Sequence, residues 1–375
     1  MIERLLKNNL MKRINDRKAL LVFGPRQSGK TTLINEIVTR LNQKVTIWNG
    51  DDFAIRSMLK EVSIAVLKNE IADSKYLFID EAQRIDDIGL ALKLIVDQFQ
   101  DVKVIATGSS AFELANRLSE PMTGRKWEFL LFPLSFKEMV QYHGLINEKT
   151  LLKQRLIYGY YPEVVTNPGD QTPLLKQLVN SYLYKDILIW ERILKPEKLE
   201  RLVQALAFQV GHEVSYHELG ILTGLDNQTV ERYIDILEKA YIVFRLSSLS
   251  RNLRNELKKS RKIYFFDNGI RNAVINAFNP PDLRNDIGAL WENFIISERY
   301  KHINLEDYNC NRYFWRTTAQ QEIDYIEEKN GKIFAFEFKW NPNDKTKLPK
   351  SFLNSYPEAE LKVINRDNFL GFIGL

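Results

Sequence analysis

Gly24-Pro25-Arg26-Gln27-Ser28-Gly29-Lys30-Thr31 fits the pattern G-x-x-x-x-G-K-[ST] and decides how the first third of the chain is read. The apolar run Ala19-Leu20-Leu21-Val22-Phe23 leads into it, and Thr32-Leu33-Ile34-Asn35-Glu36-Ile37-Val38 follows with helical spacing. A strand, a loop and a helix in that order are what a phosphate-cradling loop needs. Backbone N–H groups of the loop and the N-terminus of the following helix converge on one spot and favour an anion. Gly24 through Thr32 are the candidate contacts to ATP. Lys30 brings a point charge to its β- and γ-phosphates, and the Thr31 hydroxyl can ligate Mg2+.

Outward from this loop, apolar runs alternate with helical patterns. Lys44-Val45-Thr46-Ile47-Trp48 reads as a second strand ending near Asp51-Asp52, and a helix is predicted from about Ala54 to Leu67. Tyr76-Leu77-Phe78-Ile79-Asp80-Glu81 reads as a buried parallel strand that delivers two carboxylates to its C-terminal edge. There Asp80 can hold Mg2+ through a water, and Glu81 can orient or deprotonate the attacking water. A helix from Asp87 to Phe99 precedes the strand Val102-Lys103-Val104-Ile105-Ala106-Thr107-Gly108-Ser109-Ser110. A hydroxyl at Ser109 or Ser110 would lie beside the γ-phosphate and sense its loss. A plain strand-to-loop turn would use the same residues.

Composition constrains the rest. The 375 residues suffice for two or three domains, and 45% hydrophobic with 27% charged residues is the balance of a soluble globular protein. A net charge of +5 permits a nucleic-acid partner without requiring one. The single cysteine, Cys310, excludes an internal disulfide and points to a reducing, cytoplasmic compartment. His143, His212, His217 and His302 lie too far apart in sequence to give a zinc spacing. No apolar run approaches the roughly 20 residues that span a bilayer, so no membrane association is expected. The basic segment from Met1 to Lys18 reads as an amphipathic helix rather than a secretory signal.

Gly-Pro-Arg-Gln-Ser-Gly-Lys-Thr-Thr-Leu at 24–33, Phe-Ile-Asp-Glu-Ala-Gln at 78–83, Thr-Gly-Ser-Ser at 107–110, Gly-Arg at 124–125 and Phe-Pro-Leu-Ser-Phe at 132–136 together resemble bacterial and archaeal AAA-type P-loop ATPases. In that family the ATPase is fused to a C-terminal domain of unknown function. The resemblance implies an α/β fold of the additional-strand P-loop type, in which the acid-bearing strand is not adjacent in sequence to the phosphate-loop strand. It implies that Ser109 or Ser110 is the sensor residue. It also implies that Arg125 reaches a nucleotide, in its own subunit or a neighbour's, with Arg117 as the other candidate.

Past about residue 145 the strand–helix alternation stops. Arg155 to Glu163 is an aromatic turn punctuated by Gly159 and Pro162, followed by helical patterns from about Pro173 to Ile193 and from Lys198 to Val210. His217 to Leu222, the turn Thr223-Gly224-Leu225-Asp226-Asn227, the helix Gln228 to Lys239 and the strand Tyr241 to Leu246 have the rhythm of a winged helix-turn-helix. Arg245, Arg251, Arg254, Lys258, Lys259, Arg261 and Lys262 then face a single acid, Glu256, as in a wing that contacts phosphates. The second helix carries Glu231, Asp235 and Glu238, which suits a major groove poorly and leaves a protein-contact module as the alternative.

In the last third, a helix containing Glu292 precedes strands at Arg312–Arg316, Glu322–Glu327 and Lys332–Lys339, the last two joined at Asn330-Gly331. Glu337 and Lys339 leave the same face of one strand, with Asp324 across the hairpin. This order resembles the PD-(D/E)xK nuclease superfamily, a small α/β restriction-endonuclease-like fold. It implies a second divalent metal held by Asp324 and Glu337, oriented or completed by Glu292, with Lys339 activating water or steadying a phosphate. An antiparallel sheet with a solvated polar face is the alternative.

The expected organisation is an AAA-type ATPase domain at 1–145, a helical linker with winged helix at 146–262 and a nuclease-like domain at 263–375. The expected function is Mg2+-dependent ATP hydrolysis coupled to a module that acts on DNA or RNA. The alternative is an ATP-dependent switch whose C-terminal domains only bind protein or DNA. A homo-oligomer or a protein partner fits either.

Overall fold

The computed structural model describes residues 2–60, 62–109, 122–181, 195–249, 260–317, 319–344, 346–347 and 349–375. Its chain divides into two compact units, one of residues 1–134 with 239–241 and one of 135–238 with 242–375.

The first unit contains α1 (Leu6–Lys12), β1 (Ala19–Phe23), α2 (Lys30–Leu41), β2 (Val45–Asn49), α3 (Phe53–Lys60), α4 (Ile64–Ile71), β3 (Tyr76–Asp80), α5 (Ile88–Gln98), β4 (Lys103–Gly108) and β5 (Lys126–Leu130). Its five strands are all parallel, in the order β2-β3-β4-β1-β5. Burial follows this order. Every residue of β1 and β4 is buried, whereas β2 and β5, at the two edges, are largely half-exposed. The strand carrying Asp80 is separated from β1 by β4. The helix expected across 54–67 is two helices, because Ser63 adopts an extended conformation and caps α4 by accepting from the Val66 N–H. Leu6, Leu10 and Ile14 join Leu33, Ile34 and Ile37 in the core, so the N-terminal segment is fastened to α2.

The second unit opens with α6 (Phe136–His143), started by a capping box between Ser135 and Glu138. There follow α7 (Leu145–Tyr158), α8 (Pro162–Thr166), α9 (Gln171–Leu178), α10 (Pro196–Phe208), β6 (Glu213–Val214), α11 (Tyr216–Thr223), α12 (Asn227–Lys239), β7 (Val243–Ser248), β8 (Arg261–Phe265) and α13 (Asn268–Val274). The chain ends with α14 (Ile287–Leu305), β9 (Asn311–Arg316), β10 (Glu322–Lys329), β11 (Lys332–Phe338), α15 (Lys350–Ser355) and β12 (Glu360–Ile364). The turn joining β10 to β11 has Asn330 and Gly331 both at positive φ, 50° and 77°, as a two-residue hairpin demands.

The seven strands of this unit form one mixed sheet in the order β12-β11-β10-β9-β7-β8-β6. The parallel pairing of β7 with β9 joins the strands that follow the helix-turn-helix to those of the last third. Residue 262, the expected boundary between a middle and a C-terminal domain, therefore lies inside β8, within a continuous sheet. The helix α14, buried along most of its middle, is keyed to β8 by Asn293, which is fully buried. Its Oδ1 accepts from the Phe265 N–H at 2.7 Å, and its Nδ2 donates to the Phe265 carbonyl at 3.0 Å and to Asn268 Oδ1 at 2.6 Å. Asn268 and Asn272 in turn donate to the Leu156 and Ile157 carbonyls at the end of α7, and Asp267 accepts from the Tyr160 N–H at 2.6 Å.

Asn293→Ala leaves both backbone groups of Phe265 unpaired inside the protein. A loss of about 3 kcal/mol is expected, read from the urea unfolding midpoint; a change within about 0.5 kcal/mol would contradict this role.

Candidate active site

Parallel strands place all their following loops at one edge, and the first unit uses four of them. After β1 comes the loop Gly24–Gly29, after β3 the acids Asp80 and Glu81, after β4 Ser109, and after β5 the segment Leu131-Phe132. Gly24 lies so close to the β5 exit that a Cβ would stand 2.0 Å from the Leu131 carbonyl oxygen, which requires glycine there. Arg26 and Gln27 form the outer arc of the loop, with Gln27 at φ 57°. Ser28 is fully buried and its Oγ has no partner among the described residues.

Lys30 is buried. Its ammonium donates to the carbonyls of Gly24 at 2.9 Å and Pro25 at 2.8 Å, across the space the loop encloses. Burial lowers its pKa to about 8, opposed by the charges of Glu81 and Asp80. Thr31 Oγ1 donates to Asp80 Oδ2 at 2.8 Å, joining the start of α2 to the end of β3. A hydroxyl and a carboxylate oxygen converging in this way are hard donors and fit Mg2+, which keeps several waters and takes its other ligands from phosphates. Among the described residues no three His, Cys, Asp or Glu side chains are grouped so as to hold a metal ion unaided.

Two residues to which the sequence reading assigned no role complete this arrangement. Thr107 donates to Asp80 Oδ1, and its own oxygen accepts from the Glu81 N–H at 3.3 Å. Gln83 is 1% exposed, and its Nε2 donates both to Glu81 Oε2 at 2.6 Å and to Ser109 Oγ at 2.8 Å. Glu81 itself sits at φ 49°, a conformation uncommon for a residue with a Cβ. The carboxylate expected to act on water is thus tied through an amide to the expected sensor hydroxyl. Ser110 and Arg117 lie outside the described residues.

Arg125 occupies the opposite edge of the sheet. Its carbonyl accepts from the Ala19 N–H, at the start of β1, whereas the phosphate loop follows Phe23 at the other end. Five residues of strand separate the two by about 16 Å. Arg125 also pairs with Asp97 at 2.7 Å. A role at its own subunit's nucleotide is therefore excluded, which corrects that half of the expectation.

The second unit places Glu292, Asp324, Glu337 and Lys339 close enough to interact, but among the described residues no three carboxylates are grouped so as to hold a metal ion unaided, as the expected second metal site would require. Asp324 Oδ2 accepts from the Phe338 N–H at 2.9 Å, and Lys339 Nζ donates to Glu337 Oε2 at 3.0 Å. Burial raises the Glu337 pKa to about 7, reinforced by the negative charge of Asp324 and opposed by Lys339. Burial also raises Glu292 to about 7, opposed chiefly by Lys262. Glu292 is already engaged: its Oε1 accepts from Tyr264 at 2.6 Å and Lys262 at 3.1 Å, and Lys262 further pairs with Glu322 at 2.5 Å.

Lys262 is 1% exposed and faces this cluster, so it is not part of a phosphate-contacting wing as expected. The other described residues of that basic run are also paired. Arg245 binds Glu238 and Asp235, and Arg261 bridges to Glu231 at 3.2 Å and Tyr216 at 2.7 Å. The acids of α12 that suit a groove poorly are the partners of these arginines. Arg251, Arg254, Lys258 and Lys259 lie outside the described residues.

Comparison with known proteins gives three family matches along the chain. Residues 16–140 match the family described as an AAA domain. Residues 149–281 and 287–370 match two families described only as domains of unknown function, DUF8612 and DUF4143. An uncharacterized protein of Mycobacterium tuberculosis is 25% identical over 328 residues, 85% of this chain and 70% of that protein. Another of Haemophilus influenzae is 25% identical over 353 residues, 88% of this chain and 85% of that protein. Among solved structures, the Walker-type ATPase of Pyrococcus abyssi superposes with a TM-score of 0.52 at 14% identity, covering 73% of this chain and 96% of that one. This likeness shows a P-loop ATPase fold. No described helix is long and apolar enough to cross a membrane.

Lys30 gives a test of the site. Phosphate oxygens favour its charged form, so its pKa rises on binding. Below pH 8 the ammonium is charged in both states, and its titration gives ATP affinity no dependence on pH. Above pH 8 binding takes up a proton, and affinity falls by up to about tenfold per pH unit. Calorimetry at pH 9 in buffers of different ionisation enthalpy should show uptake approaching one proton; no uptake would contradict the assignment.

Proposed function

We propose that this protein is a Mg2+-dependent ATP hydrolase whose nucleotide state acts on its second unit. The observation that carries the reading is the hydrogen bond from Thr31 to Asp80, beside the buried Lys30 and the tethered Glu81. Lys30 would exchange the Gly24 and Pro25 carbonyls for β- and γ-phosphate oxygens. Thr31 and, through a water, Asp80 would hold the metal. When bound, Mg2+ supplies neutralisation of the charge that grows on the phosphate oxygens. Glu81, released from Gln83, would accept a proton from the attacking water, and ADP and phosphate are the products. Ser109 would report the γ-phosphate to Glu81 through the same amide. Arg125 remains a candidate for a neighbouring subunit's nucleotide.

Glu81→Gln is expected to lower kcat by about 10²- to 10⁴-fold while ATP affinity changes less than about threefold. Unchanged turnover would remove Glu81 from the mechanism.

One observation favours a second, additional reading. Asp324 and Glu337 lie at the adjoining ends of β10 and β11, with Lys339 just beyond and Glu292 of α14 close enough to interact, and the Glu337 pKa is raised by burial and then by the charge of Asp324, which a divalent cation would offset. Such a site would cleave phosphodiesters of DNA or RNA, with the helix-turn-helix serving as a winged module that docks nucleic acid or protein. Wild type should cut single- or double-stranded nucleic acid with Mg2+ or Mn2+, and Lys339→Ala should not. Intact substrate with wild type, while ATP turns over, would leave the unit as a binding module switched by ATP.

A further inference from the structure

Arg4 precedes α1 and lies outside the segment that matches the AAA domain, residues 16–140. It is nevertheless 7% exposed, and its guanidinium reaches the phosphate loop. Nη1 donates to the Ser28 carbonyl at 2.5 Å, and Nη2 donates to the Phe132 carbonyl at 2.6 Å. One arginine thus bolts the loop after β1 to the segment after β5. The same N-terminal segment makes separate contacts of its own. Lys7 Nζ pairs with Glu36 of α2 and with Glu3, each at 2.6 Å, and Leu6 and Leu10 are in the core.

The Ser28 carbonyl belongs to the peptide that joins Ser28 to Gly29. In a planar trans peptide the C=O and the following N–H point in opposite directions. Holding the Ser28 oxygen against Arg4 therefore turns the Gly29 N–H away from Arg4. Gly29 sits at φ 92°, where glycine alone is comfortable and where the chain can flip the preceding peptide at little cost. Flipped, that peptide would present an oxygen in place of an N–H to an incoming anion. A loop with glycine at this position does not select the right orientation by itself. A buried guanidinium does, because losing its acceptor would strand a charged donor.

We propose that Arg4 is a positioning residue for the phosphate cradle: it holds the Ser28–Gly29 peptide in the orientation that offers the Gly29 N–H to the β-phosphate of a nucleoside di- or triphosphate. The nucleotide site therefore begins at residue 4. This rests on the ATP-binding reading above. The expected signature is a binding defect shared by ADP and ATP, since both carry a β-phosphate, with little effect on the chemical step.

The full-length chain is titrated with ATP and with ADP, and steady-state hydrolysis is measured, for wild type, Arg4→Met, Arg4→Lys and Lys7→Met. Arg4→Met keeps the apolar stem and should weaken ATP and ADP alike by about 10- to 100-fold, raising KM while kcat changes less than about threefold. Arg4→Lys, with a single donor group, should fall between. Lys7→Met removes the ion pairs to Glu3 and Glu36 but leaves Arg4 and the apolar docking of Leu6 and Leu10 in place, and should bind as wild type does. Arg4→Met binding both nucleotides like wild type would overturn the role of Arg4. So would Lys7→Met producing the same loss, because docking of α1 would then be the cause. If Arg4→Met does not fold, Arg4→Lys decides: an affinity equal to wild type overturns the proposal. Absence of ATP binding by wild type would overturn the ATP reading and this inference together, an outcome distinct from all the others.

Discussion

A buried ammonium has to be satisfied by something, and that requirement shapes the first unit. Lys30 is held inside its loop by two backbone carbonyls, with Asp80 and Glu81 near enough to oppose its loss of charge. Those carbonyls are available only because the loop curls back on itself at the end of β1. The acids are near only because β3 ends at the same edge, one strand removed. The desolvation that burial imposes on the Lys30 ammonium is also what a polyphosphate would offset, so the cost of burying this charge and a preference for anions would be one property.

Much of this edge was legible in sequence because it is written in short contiguous runs. Five apolar residues before Gly24 and four before Asp80 announce buried parallel strands, and the residues following such strands must collect at one side. Gln83 and Thr107 were not legible as functional. An amide and a hydroxyl at those positions fit an ordinary helix start and an ordinary strand, and only the pairing of β3 with β4 brings them to the acids. Nor could the sequence choose between the two nucleotides, its own subunit's or a neighbour's, offered for Arg125. Its position depends on Ala19 pairing with Lys126, which sets it at the wrong end of β5 for its own nucleotide.

In the second unit, the four acid and lysine positions were found by order and parity: residues two apart on a strand share a face, and the Asn330-Gly331 turn brings β10 and β11 together. Parity also explains the error at Lys262. A basic run read as a whole looks solvated, yet within β8 successive residues alternate faces, so Arg261 meets α12 while Lys262 turns to Glu292 and Glu322. Two neighbouring positive charges thereby serve two different layers. The helix-turn-helix and the carboxylate cluster are not separate modules joined by a linker, since both hang on this strand.

The parallel pairing of β7 with β9 carries a kinetic cost. Its partners lie on either side of the whole of α14, so the pairing closes only after most of the unit has been synthesised and a long loop has been brought round. During translation β6, β7 and β8 can assemble early, which leaves β7 as an open edge with unpaired N–H and C=O groups until β9 arrives. This seam is where a nascent chain is most exposed to mispairing with a second copy. A truncation ahead of β9 would make that exposure permanent.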